Sequence, residues 1–381
     1  MQSRLALAHV FARPMGIFAG CFGRLFLLLM ADVCLPSAAA SLDVFLTATP
    51  ERIAPWGYFE LGSDHMNASL DVLNVRDSDP LTAGTKAGDY HGAYISGAVR
   101  LGDGKWLSGG LWQRTLSSTS DSFGYTGWQL SGLYRFLEPQ GKLPAMAVRL
   151  STWSNYADAT ESTTAVVVPG ARLNTVKITN PADRQIQADL RGTWDLTSDS
   201  YVSASLGMGR SQLSYGVMSA TTTRNGCDYQ LAFDGNSMLG TLMHPCEVAG
   251  GVILQFSDSS GLYGVDIPSE IAWRGSFVQT GINGTWQRGA WTYQAGYLLY
   301  VVQREAVDRI LSSRDKPSYT RNQNITLQAT YRLQSHDSLF ARGQLTSNML
   351  LNDIPVTYNS STAERFGSKY TLFTLGLRAD F

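Results

Sequence analysis

From Arg184 to Leu196 the chain alternates apolar and polar side chains with a period of two. Ile186, Ala188, Leu190, Gly192, Trp194 and Leu196 fall on one side, and Gln185, Gln187, Asp189, Arg191, Thr193 and Asp195 on the other. The segment Asn322–Leu333 repeats the pattern, with Ile325, Leu327, Ala329, Tyr331 and Leu333 against Asn324, Thr326, Gln328, Thr330 and Arg332. Tyr201–Met208 does the same with Val202, Ala204, Leu206 and Met208. Successive side chains on a strand point to opposite faces, so each segment predicts a strand with one apolar and one polar face. A length of about ten residues is enough for a tilted strand to cross a hydrocarbon layer. A soluble core would need a second layer over these apolar faces, and no helical period supplies one.

The connections alternate as well. Short ones are rich in turn residues: Gly102-Asp103-Gly104, Glu138 to Lys142, Thr197-Ser198-Asp199, Gln287-Arg288-Gly289 and Ser335-His336-Asp337. Each suits a tight hairpin. Long ones lie between the hairpins: Ser117 to Ser122, Ala157 to Asp183, Gly216 to Asp266, Glu305 to Thr320 and Leu350 to Arg365. Strict short–long alternation is the signature of an up-and-down membrane barrel, with brief turns on one side and longer loops on the other. Eleven strands are read at 90–101, 105–116, 123–136, 145–156, 184–196, 200–214, 270–286, 290–304, 321–334, 338–349 and 366–381. A further strand near Met66–Val75 makes about twelve, and Trp56 to Asp64 either extends it or forms another. An even count places both ends on one side.

The last segment reads T-L-F-T-L-G-L-R-A-D-F and ends at Phe381. Thr371, Phe373, Leu375, Leu377, Ala379 and Phe381 share one face, while Leu372, Thr374, Gly376, Arg378 and Asp380 share the other. This strand resembles the C-terminal strand of Gram-negative outer-membrane β-barrel proteins. The resemblance implies a porin-like barrel of the outer membrane, with Phe381 as part of the signal read by the barrel-assembly machinery. The amino-terminal region agrees. Arg4, Arg13 and Arg24 precede the apolar run Leu25–Ala31, and Ser37-Ala38-Ala39-Ala40 offers a cleavage site, so residues 1–40 are expected to be a signal peptide. Residues 41–65 are then a periplasmic segment or the start of the first strand, and 66–381 the barrel.

Composition narrows the rest. Charged residues are 16 %, Gly numbers 37, and no run of 18 apolar residues occurs. Loss of residues 1–40 removes three Arg and Asp32, leaving 27 basic and 30 acidic residues, a balance that gives no reason to expect nucleic acid. Cys227 and Cys246 alone remain outside that segment, and in an exported protein they are expected to form a disulfide. No metal or cofactor motif is present. His65, His91, His244 and His336 stand without an evident nucleophile partner, and no G-x-S-x-G, HExxH or P-loop occurs. Trp106, Trp128, Tyr134, Trp194, Tyr201, Trp286 and Trp291 fall near strand ends, where aromatic rings suit the headgroup region.

The pattern with functional content is in the arginines. By parity Arg100, Arg135, Arg149, Arg191, Arg332, Arg342 and Arg378 point inward, several near one height. A guanidinium stays charged and can grip carboxylate or phosphate with paired hydrogen bonds. Inward Asp71, Asp189, Asp195 and Asp380 can neutralise part of this. The expected function is therefore a passive channel for small polar, preferably anionic solutes such as acidic sugars, rather than an enzyme. A plugged structural or surface-polysaccharide-associated barrel and a rim-site hydrolase are the alternatives.

Overall fold

A computed structural model describes residues 44–66, 89–117, 122–162, 166–168, 171–234, 237–246, 255–259, 271–348, 355–360, 363, 367 and 369–381. The expected signal peptide, its cleavage site and Asp71 lie outside the described residues.

The described residues form nineteen strands: β1 (Gly57–Met66), β2 (Asp89–Gly102), β3 (Lys105–Ser117), β4 (Ser122–Leu137), β5 (Ala145–Tyr156), β6 (Ala159–Ser162), β7 (Val166–Val168), β8 (Ala171–Thr179), β9 (Ala182–Thr197), β10 (Ser200–Ser214), β11 (Met218–Arg224), β12 (Cys227–Asp234), β13 (Ser237–Leu242), β14 (Gln255–Ser259), β15 (Trp273–Arg288), β16 (Trp291–Arg304), β17 (Arg321–Arg332), β18 (Asp337–Thr346) and β19 (Tyr370–Asp380). Twelve of them close an antiparallel barrel in the order β1-β19-β18-β17-β16-β15-β10-β9-β5-β4-β3-β2. The seam is the pairing of β1 with β19, extended by Phe381. Its carbonyl accepts from the amides of Trp56 and Gly57 at 3.0 and 2.9 Å, and its own amide donates to Gly57 O at 2.8 Å. A Cβ on Gly57 would lie 2.5 Å from both Ala98 O and the Phe381 ring, so this position admits glycine alone.

The first strand of the barrel is Gly57–Met66, the segment read at Trp56 to Asp64; of the expected Met66–Val75 strand, residues 67–75 lie outside the described residues. G-Y-F-E-L-G-S-D alternates weakly because its inward residues, Glu60 and Asp64, are acids held by partners on other strands. Those partners have no sequence signature. The outer wall of the barrel is apolar, with Leu150, Ile186, Met208 and Leu327 each at least 60 % exposed. Such a surface is stable only against lipid. The chain is an outer-membrane β-barrel. No helix among the described residues is long and apolar enough to cross a membrane; strands make the crossing.

At the end with the short turns, Trp286, Tyr293, Trp291 and Tyr331 form an outward aromatic row, the first three stacked and Tyr331 tilted against Trp291, with ring centroids 4.8 to 5.9 Å apart. Trp194 and Tyr134 are exposed on the same wall. Trp106 and Tyr201, expected among these interface aromatics, instead point inward and are 4 % exposed. Parity put them on the luminal face, and proximity to a turn was the weaker guide.

At the opposite end, two segments read as loops fold together. β6, β7, β8 and β11 to β14 make one antiparallel sheet. It grows directly from the β9–β10 hairpin, since β8 runs into β9 and β10 into β11. The ladder bridges the bends through Thr179 N to Val217 O (2.9 Å) and Gly216 N to Thr179 O (2.8 Å). Leu173, Met218, Ala220, Tyr229, Leu231, Phe233 and Met238 bury one face. Cys227 and Cys246 are disulfide-bonded there, with Cα atoms 5.7 Å apart. Short polar strands rich in Thr and Ser carry little periodic signal, which is why they were legible only as a long connection.

Candidate functional site

The lumen is filled in layers. Nearest the short turns lie residues 44–54, threaded inside the barrel rather than hanging below it. Ala48 N donates to Thr193 Oγ1 (2.8 Å), and Asn283 Nδ2 donates to Val44 O (2.9 Å); both partners are inward, buried wall residues. Ala48 packs on Trp106, Leu133, Ala145 and Ala147. Two ion pairs hold a short 3-10 turn at Pro50–Arg52: Glu51 with Arg135, and Arg52 with Asp195.

Above this segment is a cavity of about 110 Å³. It exists because β2 and β3 present Ser96, Ser108 and Gly110 inward instead of bulky groups. Its charged lining is Glu60, Arg149, Arg342 and Arg378, with Gln129, Gln294, Gln328 and Gln344 completing a polar wall. Glu60 accepts from the Tyr94 hydroxyl and faces Arg342 Nη2 at 3.3 Å and Arg378 Nη1 at 3.9 Å. Arg342 Nε also donates to Gln328 Oε1 (2.7 Å). Arg149 Nε donates to Asp189 Oδ2 (2.8 Å), and Arg191 lies 3.6 Å from the same oxygen. Gln279 donates to the other oxygen of Asp189 at 3.1 Å. Asp189 is thus shared by two guanidinium groups, and Glu60 by two more. Among the described residues, Arg149 Nη2 and Arg378 Nη2 are buried donors that meet no hydrogen-bond partner.

A third layer, toward the long connections, is aromatic. Tyr90, Tyr94, Trp112, Tyr125, Trp153, Phe277, Tyr300 and Phe340 belong to one buried cluster. Trp112 Nε1 donates to Asn155 Oδ1 at 2.8 Å. Phe277 stacks at a tilt on Tyr300 with centroids 5.0 Å apart. The mouth is roofed by α1 (Val307–Ser313) and by residues 355–360. Trp273 Nε1 donates to Tyr358 O (2.8 Å), Val356 N donates to Asp183 Oδ2 (3.0 Å), and Arg304 sits 3.9 Å from the Tyr358 ring centroid. Burial holds the Tyr358 phenol above its ordinary pKa, so it stays neutral while accepting from Tyr319 N.

The seven arginines named from sequence are therefore dispersed. Arg149, Arg191, Arg342 and Arg378 meet in the middle of the lumen, with Glu60 and Asp189 between them. Arg135 clamps the inserted segment and Glu138. Arg100 pairs with Asp103, and Arg332 donates to Gly289 O, both at the short turns. Glu60, Tyr94 and the inserted segment were missed. Glu60 could have been found by continuing the parity count into W-G-Y-F-E-L-G-S-D, but the return of residues 44–54 into the barrel has no local signal.

His65 Nε2 lies 2.9 Å from Ser63 Oγ on the outward face of β1, a pairing the sequence reading passed over. Residues two apart on any strand meet this way. The backbone amides around it are engaged in the ladders to β2 and β19, and Asp64 points to the other face and accepts from Thr374. Among the described residues, no orienting acid or oxyanion donor joins this base and hydroxyl. Among the described residues no group of three or more His, Cys, Asp or Glu could hold a metal ion.

No family model matches the chain, and no curated protein matches it by sequence. Among solved structures it is similar to the NanC porin, at 8 % identity and TM-score 0.42, covering 85 % of this chain and 100 % of that one. It is similar to the CymD monoaromatic hydrocarbon channel at 12 % identity and TM-score 0.40, covering 91 % and 95 %. The translocator domain of autotransporter NalP from Neisseria meningitidis aligns at 8 % identity and TM-score 0.44, covering 85 % and 87 %. At such scores the barrel rests on this chain's own strand pairing.

Proposed function

We propose that the protein is a passive outer-membrane channel for small polar solutes, with a preference for anionic ones such as acidic sugars. The observation that carries this reading is the luminal cavity, whose lining holds Arg149, Arg342 and Arg378 against the single carboxylate Glu60. Two of those guanidinium groups keep a buried N–H that meets no hydrogen-bond partner among the described residues. Such donors are costly unless something polar meets them, and a carboxylate does so with charge assistance. The field inside a narrow lumen comes from the nearest groups, focused by low-dielectric walls, so an overall acidic balance does not oppose it. The conformation is a closed one, with residues 44–54 below the cavity and the aromatic layer above.

A second reading, a permanently plugged structural barrel, is favoured by that same filling. Planar-bilayer recording decides between them. A channel conducts, and its reversal potential under a salt gradient shows anion preference that weakens in Arg149→Gln/Arg378→Gln. Absence of conductance, both in the parent and after removal of residues 44–54, sinks the channel and leaves the plugged barrel.

A further inference from the structure

Most arginines of the barrel face the lumen, but three on adjacent strands face lipid. On the β9, β10 and β15 wall, near the end with the long connections, Arg184 and Arg274 flank Gln212 in one cross-strand row. In the next row Arg210 stands between Ile186 and Ser276. All three arginines are exposed. Diagonal neighbours in a sheet lie within reach of long side chains, so the three guanidinium groups can converge on one headgroup.

Below them the wall turns apolar at once. The following row is Ala188, Met208 and Val278, and the one after is Leu190, Leu206 and Thr280. On β9 the outward positions 186–196 are apolar and end near Trp194. At a strand tilt of about 40° these ten steps span roughly 25 Å, the height of a barrel's lipid-facing band. Arg184 and Arg274 therefore stand at the outer edge of the hydrocarbon, with Arg210 one row deeper.

A solvated surface intersperses acids among its bases. Here, among the described residues, no carboxylate forms an ion pair with Arg184, Arg210 or Arg274. Glu305 is the acid placed beside them, its amide bonded to Arg274 O at 3.0 Å. Three unpaired cations over a largely apolar wall complement a molecule with phosphate at one end and acyl chains at the other.

We propose that the outward face of β9, β10 and β15 is a binding site for a phosphorylated lipid of the outer leaflet, gripped by Arg184, Arg210 and Arg274. The site is independent of the channel reading and would hold even for a plugged barrel. Guanidinium groups suit it because they bind phosphate oxygens in pairs and stay charged at an interface.

The test uses full-length protein in zwitterionic detergent and fluorescent lipopolysaccharide carrying its lipid phosphates, titrated at low and high salt. Arg184→Gln/Arg210→Gln/Arg274→Gln is expected to weaken binding at least tenfold and to flatten the salt dependence. Arg288→Gln, on β15 at the opposite end, is expected to bind as the parent does. Heat-modifiable gel mobility checks that each variant folds. Should the triple variant not fold, Arg184→Gln and Arg274→Gln singly are expected to lose several-fold each. Equal binding of the triple variant, or unchanged binding by both single variants, overturns the site. Equal affinity for dephosphorylated lipopolysaccharide overturns phosphate recognition. Inorganic phosphate binding as tightly as the lipid overturns the lipid as its partner.

Discussion

Asp189 is the residue on which the middle of the lumen depends. Buried with Arg149 and Arg191 on either side, it is a carboxylate that lets two guanidinium groups remain inside, as Glu60 does for Arg342 and Arg378. Removing one partner from a buried ion pair leaves an uncompensated charge and costs about 3–5 kcal/mol. Asp189→Ala is expected to fall in that range, and Arg191→Ala to cost less, because Arg149 and Gln279 still serve the carboxylate. Urea unfolding in lipid vesicles, followed by tryptophan fluorescence, measures both. A similar dependence exists in the aromatic layer. A Cβ on Gly127 would meet Trp112 Nε1 at 2.2 Å and Ser154 O at 2.6 Å, so the indole can lie against the wall only over a bare backbone. Gly127→Val is expected to destabilise by about 1–3 kcal/mol through overpacking, or to expel Trp112 from its bond to Asn155, visible as a red shift in emission. Which face each of these residues occupies was legible from parity. Which acid each arginine would meet was not, because β1 and β9 approach their partners only in the closed barrel.

Two elements depart from what a minimal barrel needs. The first is the outer sheet tied by Cys227 and Cys246. The bridge closes a loop of about twenty residues and in the chain-entropy model is worth roughly 3 kcal/mol. Cys227→Ser/Cys246→Ser is expected to leave the barrel's gel mobility intact while making the 218–246 region sensitive to added protease. Cleavage within the barrel strands instead would mean the sheet supports the barrel. The second is the inserted segment, 44–54. Its hold combines the Glu51–Arg135 and Arg52–Asp195 ion pairs with small residues packed on Trp106. Half-exposed pairs such as Arg52–Asp195 contribute little each, so the segment is held by many modest contacts and is suited to displacement. Deleting it is expected to raise single-channel conductance several-fold, read in the same bilayer recordings.

At the scale of the molecule, barrel closure is completed at the C-terminus. The backbone of Phe381 completes the β1–β19 seam and its ring covers Gly57, so deleting the residue would remove seam hydrogen bonds along with the side chain. Phe381→Ala separates the two, because it keeps the backbone. A large drop in outer-membrane yield with normal gel mobility of the assembled fraction supports an assembly-signal role. Unchanged yield would limit Phe381 to closing the seam.

The sequence by itself determined the wall. Eleven of the twelve barrel strands, their inward and outward faces, the side on which the short turns lie and the disulfide partners follow from local rules, because lipid on one side and a polar lumen on the other impose a period of two on every strand. The tertiary structure alone decided what fills the wall. The entry of residues 44–54, the sharing of Glu60 and Asp189 between pairs of arginines, and the growth of an outer sheet from the β9–β10 hairpin join residues as far apart in the chain as Glu60 and Arg378. No periodicity records contacts of that kind. They arise when closure brings distant strands around one lumen and every buried charge has to find a partner there.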